Sequence, residues 1–365
     1  MTSAGRYPSG VRIAVVVSGW PRVSETFALN ELRALQRAGM LAGVFATKPG
    51  DDRLVQPGVA DIDPPAVVLA AGDGAAQAAE LASRLQGTGV TAVHGYFAHR
   101  PAEVAAGAAR ILGVPYSFSA HALDVRKVPA GDLAARAADA ALVVACTHDV
   151  ARSLEDAGSR PRLLPHGVDL DRFRPQAPPG GPQLAALAVG RFVEKKGFVH
   201  AIRALALTQR PVRLRLVGDG PLLGILREAA DAAGVADRVT FAGRRTHDSL
   251  AAEYAAADVV VVPSVVDASG DRDGLPNVVL EAMASGRPVV AADVAAIASA
   301  VAHGATGVLV PPADPAAIAW ALDELHDDPA ARRRMGAAAR AVAEERYDLD
   351  ACAGALCRTL ERAYA

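Results

Sequence analysis

The sequence predicts an α/β protein built from two doubly wound, Rossmann-like halves. Three observations predict it. A chain of 365 residues exceeds one ordinary core and suits two domains of about 150–200 residues each. Short runs rich in Val, Leu, Ile and Ala alternate with Ala-rich helical stretches from end to end. A Pro- and Gly-rich segment, "RPQAPPGGPQ" (174–183), separates two repeats of that pattern and reads as a linker.

The first half offers "VRIAVVV" (11–17), "AGVFAT", "AVVLA", "TAVHGYF", "PYSFSAHA", "ALVVACT" and "RLLPHGV" as strands. The helix "SETFALNELRALQRAG" carries apolar residues at 27, 28, 32 and 35, with Gly39 where a C-cap is expected. The second half offers "LAALAVG", "VRLRLVG", "RVTFAG", "ADVVVVPS", "RPVVAAD" and "TGVLVPP". Near-continuous apolar strands between helices indicate parallel sheets covered on both faces. The expected domains are 1–173, a linker at 174–183, 184–345, and a C-terminal helix at 346–365 packing back toward the N-terminal domain. Ligands of such sheets bind beyond the carboxyl ends of the strands, so the loops that follow strands carry the chemistry.

A net charge of −2 gives no global field for nucleic acid or an anionic membrane. Cys146, Cys352 and Cys357 fit neither a disulfide framework nor zinc spacing, and Cys146 in "ALVVACT" reads as a small buried residue. "MTSAGRYPSG" lacks the regions of a signal peptide. No apolar stretch approaches the ~20 residues of a membrane span. These features predict a cytoplasmic protein without a transmembrane segment, and leave peripheral membrane contact open.

Two loops stand out. "AVGRFVEKKGF" (188–198) sets Arg191, Lys195 and Lys196 where a strand gives way to a helix; taken alone it reads as a solvated charged turn. "SGDRDGLPNVVLEAMASGRPVV" (269–290) places Pro276 in the first turn of a helix and Gly286 at its end. Asp273 then precedes the helix and Glu281 lies in its second turn. The amides of Asn277 and Val278 at a positive helix end, flanked by two carboxylates, form an anion site that suits a nucleotide-sugar diphosphate. The plainer alternative is a capping Asp273 and a solvated Glu281.

"RFVEKKG", "LVGDGP", "FAG", "VPS" and "GDRDGLPNVVLEAMASGRPVV" together resemble the donor half of glycosyltransferase family 4. "SETFALNEL", "HGYFAHRPAEVA", "PYSFSAHALDV" and "LPHGVDLDRF" resemble the acceptor half of its exopolysaccharide-type branch. The resemblance spans nearly the whole chain, in order. It implies a GT-B fold, two doubly wound Rossmann-like domains facing across a cleft, and a retaining transfer from a nucleotide-diphosphate sugar, most simply a UDP-sugar. The acceptor is a hydroxyl of a saccharide, polysaccharide or natural-product intermediate, and no cofactor or metal is expected.

On this resemblance Arg191 and Lys196 bind the donor diphosphate, while Lys195 falls outside the matched pair and reads as exposed. Asp273 takes sugar hydroxyls where the family usually has glutamate, and Glu281 takes the ribose diol. Gly274, Leu275, Asn277 and Val278 complete the donor loop. Gly218 and Gly220 give close backbone approach near the nucleotide, Gly243 and Arg244 lie near the base, and Gly19 follows the first strand near the phosphates. His121 of "SAHALD" matches the active-site histidine. Ser24, Glu25 and Thr26 line the acceptor side, although "SETF" also reads as a capped helix start. His94, His99 and His166 are structural or acceptor-side. Ala298 and Ser299 replace a common Pro-Glu pair, so the sugar's identity is not implied. "DRD" (271–273) is an Asp-x-Asp, the metal pattern of another fold; with a helix end and two cations at hand, Asp271 reads instead as a solvated loop residue. A phosphorylase or epimerase on the same fold, or a silent nucleotide-sugar-binding subunit, are the competing readings.

Overall fold

The computed structural model describes residues 10–22, 25–50, 55–122, 124–177 and 179–365. The chain divides into two compact units, Met1–Gly167 with Leu349–Ala365, and Val168–Asp348.

The first unit carries a seven-stranded parallel sheet: β1 (Ile13–Trp20), β2 (Leu41–Pro49), β3 (Val67–Val68), β4 (Ala92–Tyr96), β5 (Tyr116–Ala120), β6 (Leu142–Ala145) and β7 (Arg162–Leu163), in the order β3-β2-β1-β4-β5-β6-β7. Successive side chains of a strand point to opposite faces. Accordingly Ile13, Val15 and Val17 pack with Leu32 and Leu35 on one face, while Ala14 and Val16 pack with Leu81 and Val104 on the other. Helix Leu349–Tyr364 belongs to this unit. Its Leu356 and Leu360 are buried in the same cluster as Leu32 and Leu35, Arg37 pairs with Asp350 at 3.2 Å, and the Tyr364 hydroxyl meets that of Ser117.

The second unit carries a six-stranded parallel sheet: β8 (Leu184–Val189), β9 (Val212–Val217), β10 (Val239–Phe241), β11 (Val259–Val262), β12 (Val289–Ala292) and β13 (Gly307–Val310), in the order β10-β9-β8-β11-β12-β13. Val259 and Val261 of β11 face one core, and Val260 and Val262 the other. In each sheet the strand order reverses beside the first strand, between β1 and β4 and between β8 and β11. That is where open α/β sheets open a crevice for ligands. Each strand expected from the sequence is present.

Two boundaries differ from expectation. Residues 168–173 belong to the second unit, because Val168 and Phe173 are buried in its core. The Pro/Gly segment is likewise tied to that unit: the Gln176 carbonyl accepts from Arg287 at 3.0 Å, and Pro175 lies against Gly286. Composition marked it as a linker, but its backbone is held. The chain passes between units at Gly167/Val168 and Asp348/Leu349 instead. The last helix accordingly begins at Leu349, since helix Pro329–Arg346 runs on in the second unit. No helix among the described residues is long and apolar enough to cross a membrane.

Candidate functional site

In the second unit the two marked loops meet. A short 3₁₀ turn, Glu194–Lys196, follows β8 and ends at Gly197 with φ 63°. A Cβ there would stand 1.9 Å from the Pro263 carbonyl oxygen, so only glycine fits. The Lys195 carbonyl accepts from the Val265 amide at 2.9 Å, which pins the turn to the loop after β11. The lysines are thereby set against the aspartates of the 267–274 loop. Lys196 Nζ donates to Asp273 Oδ2 at 2.8 Å, and Ser264 Oγ donates to the same oxygen at 3.2 Å. Lys195 Nζ lies 3.0 Å from Asp271 Oδ2 and 3.6 Å from Asp273 Oδ1.

Two expectations are corrected here. Lys195 is not a spare exposed lysine, and Asp271 is not a solvated loop residue: their side chains are only 21% and 18% exposed, and they pair with each other. Burial drives the Asp273 carboxyl up, but Lys196 and then Lys195 outweigh it and hold it below the usual range. Arg191, at the mouth of the same turn, is exposed and forms no ion pair among the described residues.

The Asp273 loop leads into helix Asn277–Ala284. Pro276 is the N-cap rather than a first-turn residue, with an extended ψ of 135°. Gly286 follows the helix at φ 66°. First-turn amides such as that of Val278 have no acceptor within their own helix. Leu275 and Val278 turn their side chains onto the core, so these two positions can offer a ligand only their backbone. Glu281 is buried, 4% exposed, which sets aside the solvated-face reading. Tyr254 Oη donates to its Oε2 at 2.7 Å, and His247 Nε2 lies 3.0 Å from its Oε1. Burial, followed by the Glu281 charge, raises the Tyr254 hydroxyl well above its ordinary range, so it remains a donor.

The glycines of "VGDGP" sit where the backbone is closely packed. A Cβ on Gly218 would stand 1.8 Å from the Gly190 oxygen, and one on Gly220 2.6 Å from the Phe192 oxygen. They let the loop after β9 lie against the turn that carries Arg191. Gly243 and Arg244 follow β10 and are exposed; the Gly243 carbonyl accepts from the Gly218 amide at 3.0 Å. Ser299 closes a local 3₁₀ turn onto the Ala296 carbonyl at 2.6 Å.

In the first unit, His121 directly follows β5. Its backbone amide donates to Asp124 Oδ1 at 2.6 Å, and the other Asp124 oxygen accepts from the Ala98 amide. Burial raises the Asp124 carboxyl to about 7 against the pull of these bonds. The His121 ring sits among Phe97 (centroids 4.7 Å apart), Phe27 (5.0 Å), His166 (5.1 Å) and Tyr96 (5.6 Å). Both its nitrogens are buried without a hydrogen-bond partner. Burial, then the charge of His166, holds the ring well below its usual range and neutral.

His166 behaves oppositely. Its Nδ1 lies 2.7 Å from Glu31 Oε1; burial works against protonation, yet Glu31 prevails and pushes the ring up to about 10. His94 is fully buried between Ser117 Oγ (2.6 Å) and Ser119 Oγ (3.0 Å), and burial lowers it to about 3. His99 is the N-cap of helix Arg100–Leu112, accepting from the Arg100 amide at 2.8 Å. Burial, then Lys127, lowers it to about 4.

Gly19 lies inside β1, paired with Lys48 of β2, rather than after the strand. Ser24 lies outside the described residues. Glu25 is the N-cap of helix Thr26–Arg37 but makes no side-chain cap bond; it pairs with Arg22 at 3.2 Å. Thr26 is buried. Sequence reasoning missed Asp124, Glu31, His247, Tyr254 and Ser264. Asp124 left a local signal, three residues after the histidine whose loop it organises, while Glu31 and Ser264 lie within the quoted "SETFALNEL" and "VPS" without having been given a role. Cys146 is half-buried and lines a pocket with His166, Glu31 and Cys352.

Comparison with known proteins agrees with this architecture. The family profile described as Glycosyltransferase Family 4 matches residues 24–172, and that described as Glycosyl transferases group 1 matches residues 183–328. The chain is 38% identical over 200 residues to the GDP-mannose-dependent alpha-(1-6)-phosphatidylinositol monomannoside mannosyltransferase of Mycobacterium tuberculosis, covering 51% of this chain and 52% of that protein. It is 35% identical over 168 residues to the alpha-D-kanosaminyltransferase of Streptomyces kanamyceticus, covering 45% and 42%. The match thus spans about half the length of these curated relatives, or less. Anabaena HepE, solved in complex with UDP, superposes with a TM-score of 0.82 at 20% identity over 96% of this chain and 100% of HepE. Sucrose-phosphate synthase from Thermosynechococcus elongatus does so at 0.79 and 24% identity, over 96% and 100%. These two likenesses are of fold, two parallel-sheet α/β domains of the GT-B type. With both halves of the chain matched by its profiles, the protein is a member of glycosyltransferase family 4.

Proposed function

We propose that the chain transfers a sugar from a nucleoside-diphosphate donor to a hydroxyl acceptor, with retention at the anomeric carbon. The observation that carries this reading is the meeting of Lys196, Lys195 and Asp273 beside the N-terminal turn of helix Asn277–Ala284. As the donor's glycosidic bond breaks, negative charge gathers on the β-phosphate. Lys196, Arg191 and the first-turn amides stabilise that charge most in the transition state. Lys196 is held by Asp273 in this structure, so a phosphate arriving at the ammonium releases the carboxylate for sugar hydroxyls. Glu281 receives the ribose diol on lone pairs that Tyr254 and His247 leave open. The acceptor oxygen bonds to the anomeric carbon on the face the phosphate leaves, and the acceptor's proton passes to a phosphate oxygen. In the first unit, neutral His121 suits a hydrogen bond to a sugar hydroxyl, and Glu25 and Thr26 are assigned to the acceptor.

The sequence favours a UDP-sugar, whereas the mycobacterial relative is named as GDP-mannose-dependent. Incubation with UDP-, GDP- and ADP-sugars, with and without saccharide acceptors, identifies the donor by its consumption. Binding of a donor without turnover under any condition would replace transfer with a silent binding role. No metal takes part in this reading. Asp271 and Asp273 are already engaged by two lysines, which a dication would have to displace. Transfer is expected to persist in EDTA; loss on chelation, restored by Mn²⁺, would overturn that assignment.

A further inference from the structure

Three unsatisfied nitrogens share one box in the first unit: both nitrogens of His121 and Nε2 of His166 are buried without a hydrogen-bond partner. A polar atom buried without a partner keeps its full desolvation cost, and such a cluster calls for a missing partner. The Cys146 sulfur completes the group: one ligand atom each from His121, Cys146 and His166 lie within 4.8 Å of one another.

We propose that His121, Cys146 and His166 form a binding site for a borderline-soft divalent cation of the zinc class. Two imidazoles and a thiolate are the donor set such a cation prefers, and three protein ligands leave its fourth position for water or an incoming oxygen. Tetrahedral bonds of about 2.0–2.3 Å need ligand atoms roughly 3.3–3.7 Å apart, so the side chains need close by at most about 1.5 Å. The supporting shell is already built. Glu31 holds His166 Nδ1 at 2.7 Å, which fixes the ring and leaves Nε2 for the metal, the carboxylate–histidine–metal arrangement of metalloproteins. A cation on Nε2 takes the place of the proton that Glu31 otherwise favours there. A small pocket beside the group is lined by Glu31, Cys146 and His166 together with apolar side chains such as Val144 and Leu164.

The site differs from the Asp-x-Asp loop of the second unit, and its occupancy withdraws His121 from hydroxyl binding. That consequence rests on the function proposed above; the binding itself does not.

The test is titration of the metal-stripped full chain with Co²⁺. Tetrahedral ligand-field absorption and a thiolate-to-cobalt charge-transfer band are expected, both displaced by Zn²⁺. Cys146→Ser abolishes the charge-transfer band, and Glu31→Gln weakens apparent affinity about 10-fold. A wild-type chain without the thiolate band overturns the site, as does a band that Cys146→Ser leaves intact. In a transfer assay, Zn²⁺ suppresses turnover and EDTA restores it. Zinc bound as the spectra require but without effect on turnover would leave the site standing and remove His121's part in transfer.

Discussion

The two units handle buried polarity in opposite ways. In the second unit, charges meet charges: Lys195 and Lys196 against Asp271 and Asp273, with Glu281 under a tyrosine and a histidine. In the first, most of the chemistry-bearing groups are kept neutral, as three histidines are depressed by burial and one aspartate is raised by it. A paired ammonium can be re-paired by an anionic ligand at little desolvation cost. A neutral imidazole in an aromatic box is poised instead for a hydroxyl or a metal. Charge pairing suits capture of a phosphate, and neutrality suits positioning of a sugar.

Removing Lys196 strikes hardest at that contrast. Lys196→Ala should lower turnover roughly 100–1,000-fold with every donor sugar, as loss of one preorganised charge donor does. Steady-state kinetics on two sugars of one nucleotide check it; a changed sugar preference with turnover intact would refute the diphosphate role. Next comes Glu281→Ala, expected to weaken nucleotide binding by about 1.5–3 kcal/mol as the diol and Tyr254 lose a charged acceptor. Calorimetry with UDP and GDP reads this directly, and equal affinity in mutant and wild type removes the ribose assignment. Asp273→Asn should act more weakly, by about 10-fold, re-ranking donor sugars, since Lys196 then loses its partner while the diphosphate keeps its own.

A further prediction concerns stability rather than turnover, and probes the neutral side. His94 titrates near 3 when folded and near 6.5 when unfolded. Between those values the unfolded chain binds the extra proton, so stability is present above pH 6.5 and lost as pH falls toward 3. The share of one such histidine is about 1.4 kcal/mol per pH unit. His94→Gln, which can still bond Ser117 and Ser119, should flatten the fall in urea resistance between about pH 6.5 and about pH 5. An unchanged slope would show that His94 is not a source of acid sensitivity.

The second unit's loops were legible because their residues are near in sequence: the turn that needs Gly197 and the stretch from Asp273 to Glu281 each lie in one linear motif. Strands were legible because their apolar runs are long enough to cover both faces. What joins motifs was not. Lys195 looked spare because nothing local says that Asp271 lies across from it, and Glu281 gave no hint of Tyr254 and His247. In the first unit the box around His121 draws on Phe27, Tyr96, Phe97, Cys146 and His166, from elements spread along the chain, so His121, Cys146 and His166 were named singly and not as one group. The misplaced linker has the same cause: proline and glycine report local stiffness, whereas the Arg287 bond that holds Gln176 is a tertiary contact.

Helix Leu349–Tyr364 has a consequence for biogenesis. Its leucines complete the core that β1 and helix Thr26–Arg37 begin, whereas the second unit is one uninterrupted stretch of chain. During synthesis the first unit therefore waits, with an apolar seam exposed, until the ribosome has delivered residues more than three hundred positions downstream. The part of the protein that is made first is finished last, and a chaperone that shields nascent apolar surface would be needed by the N-terminal half rather than by the half that follows it.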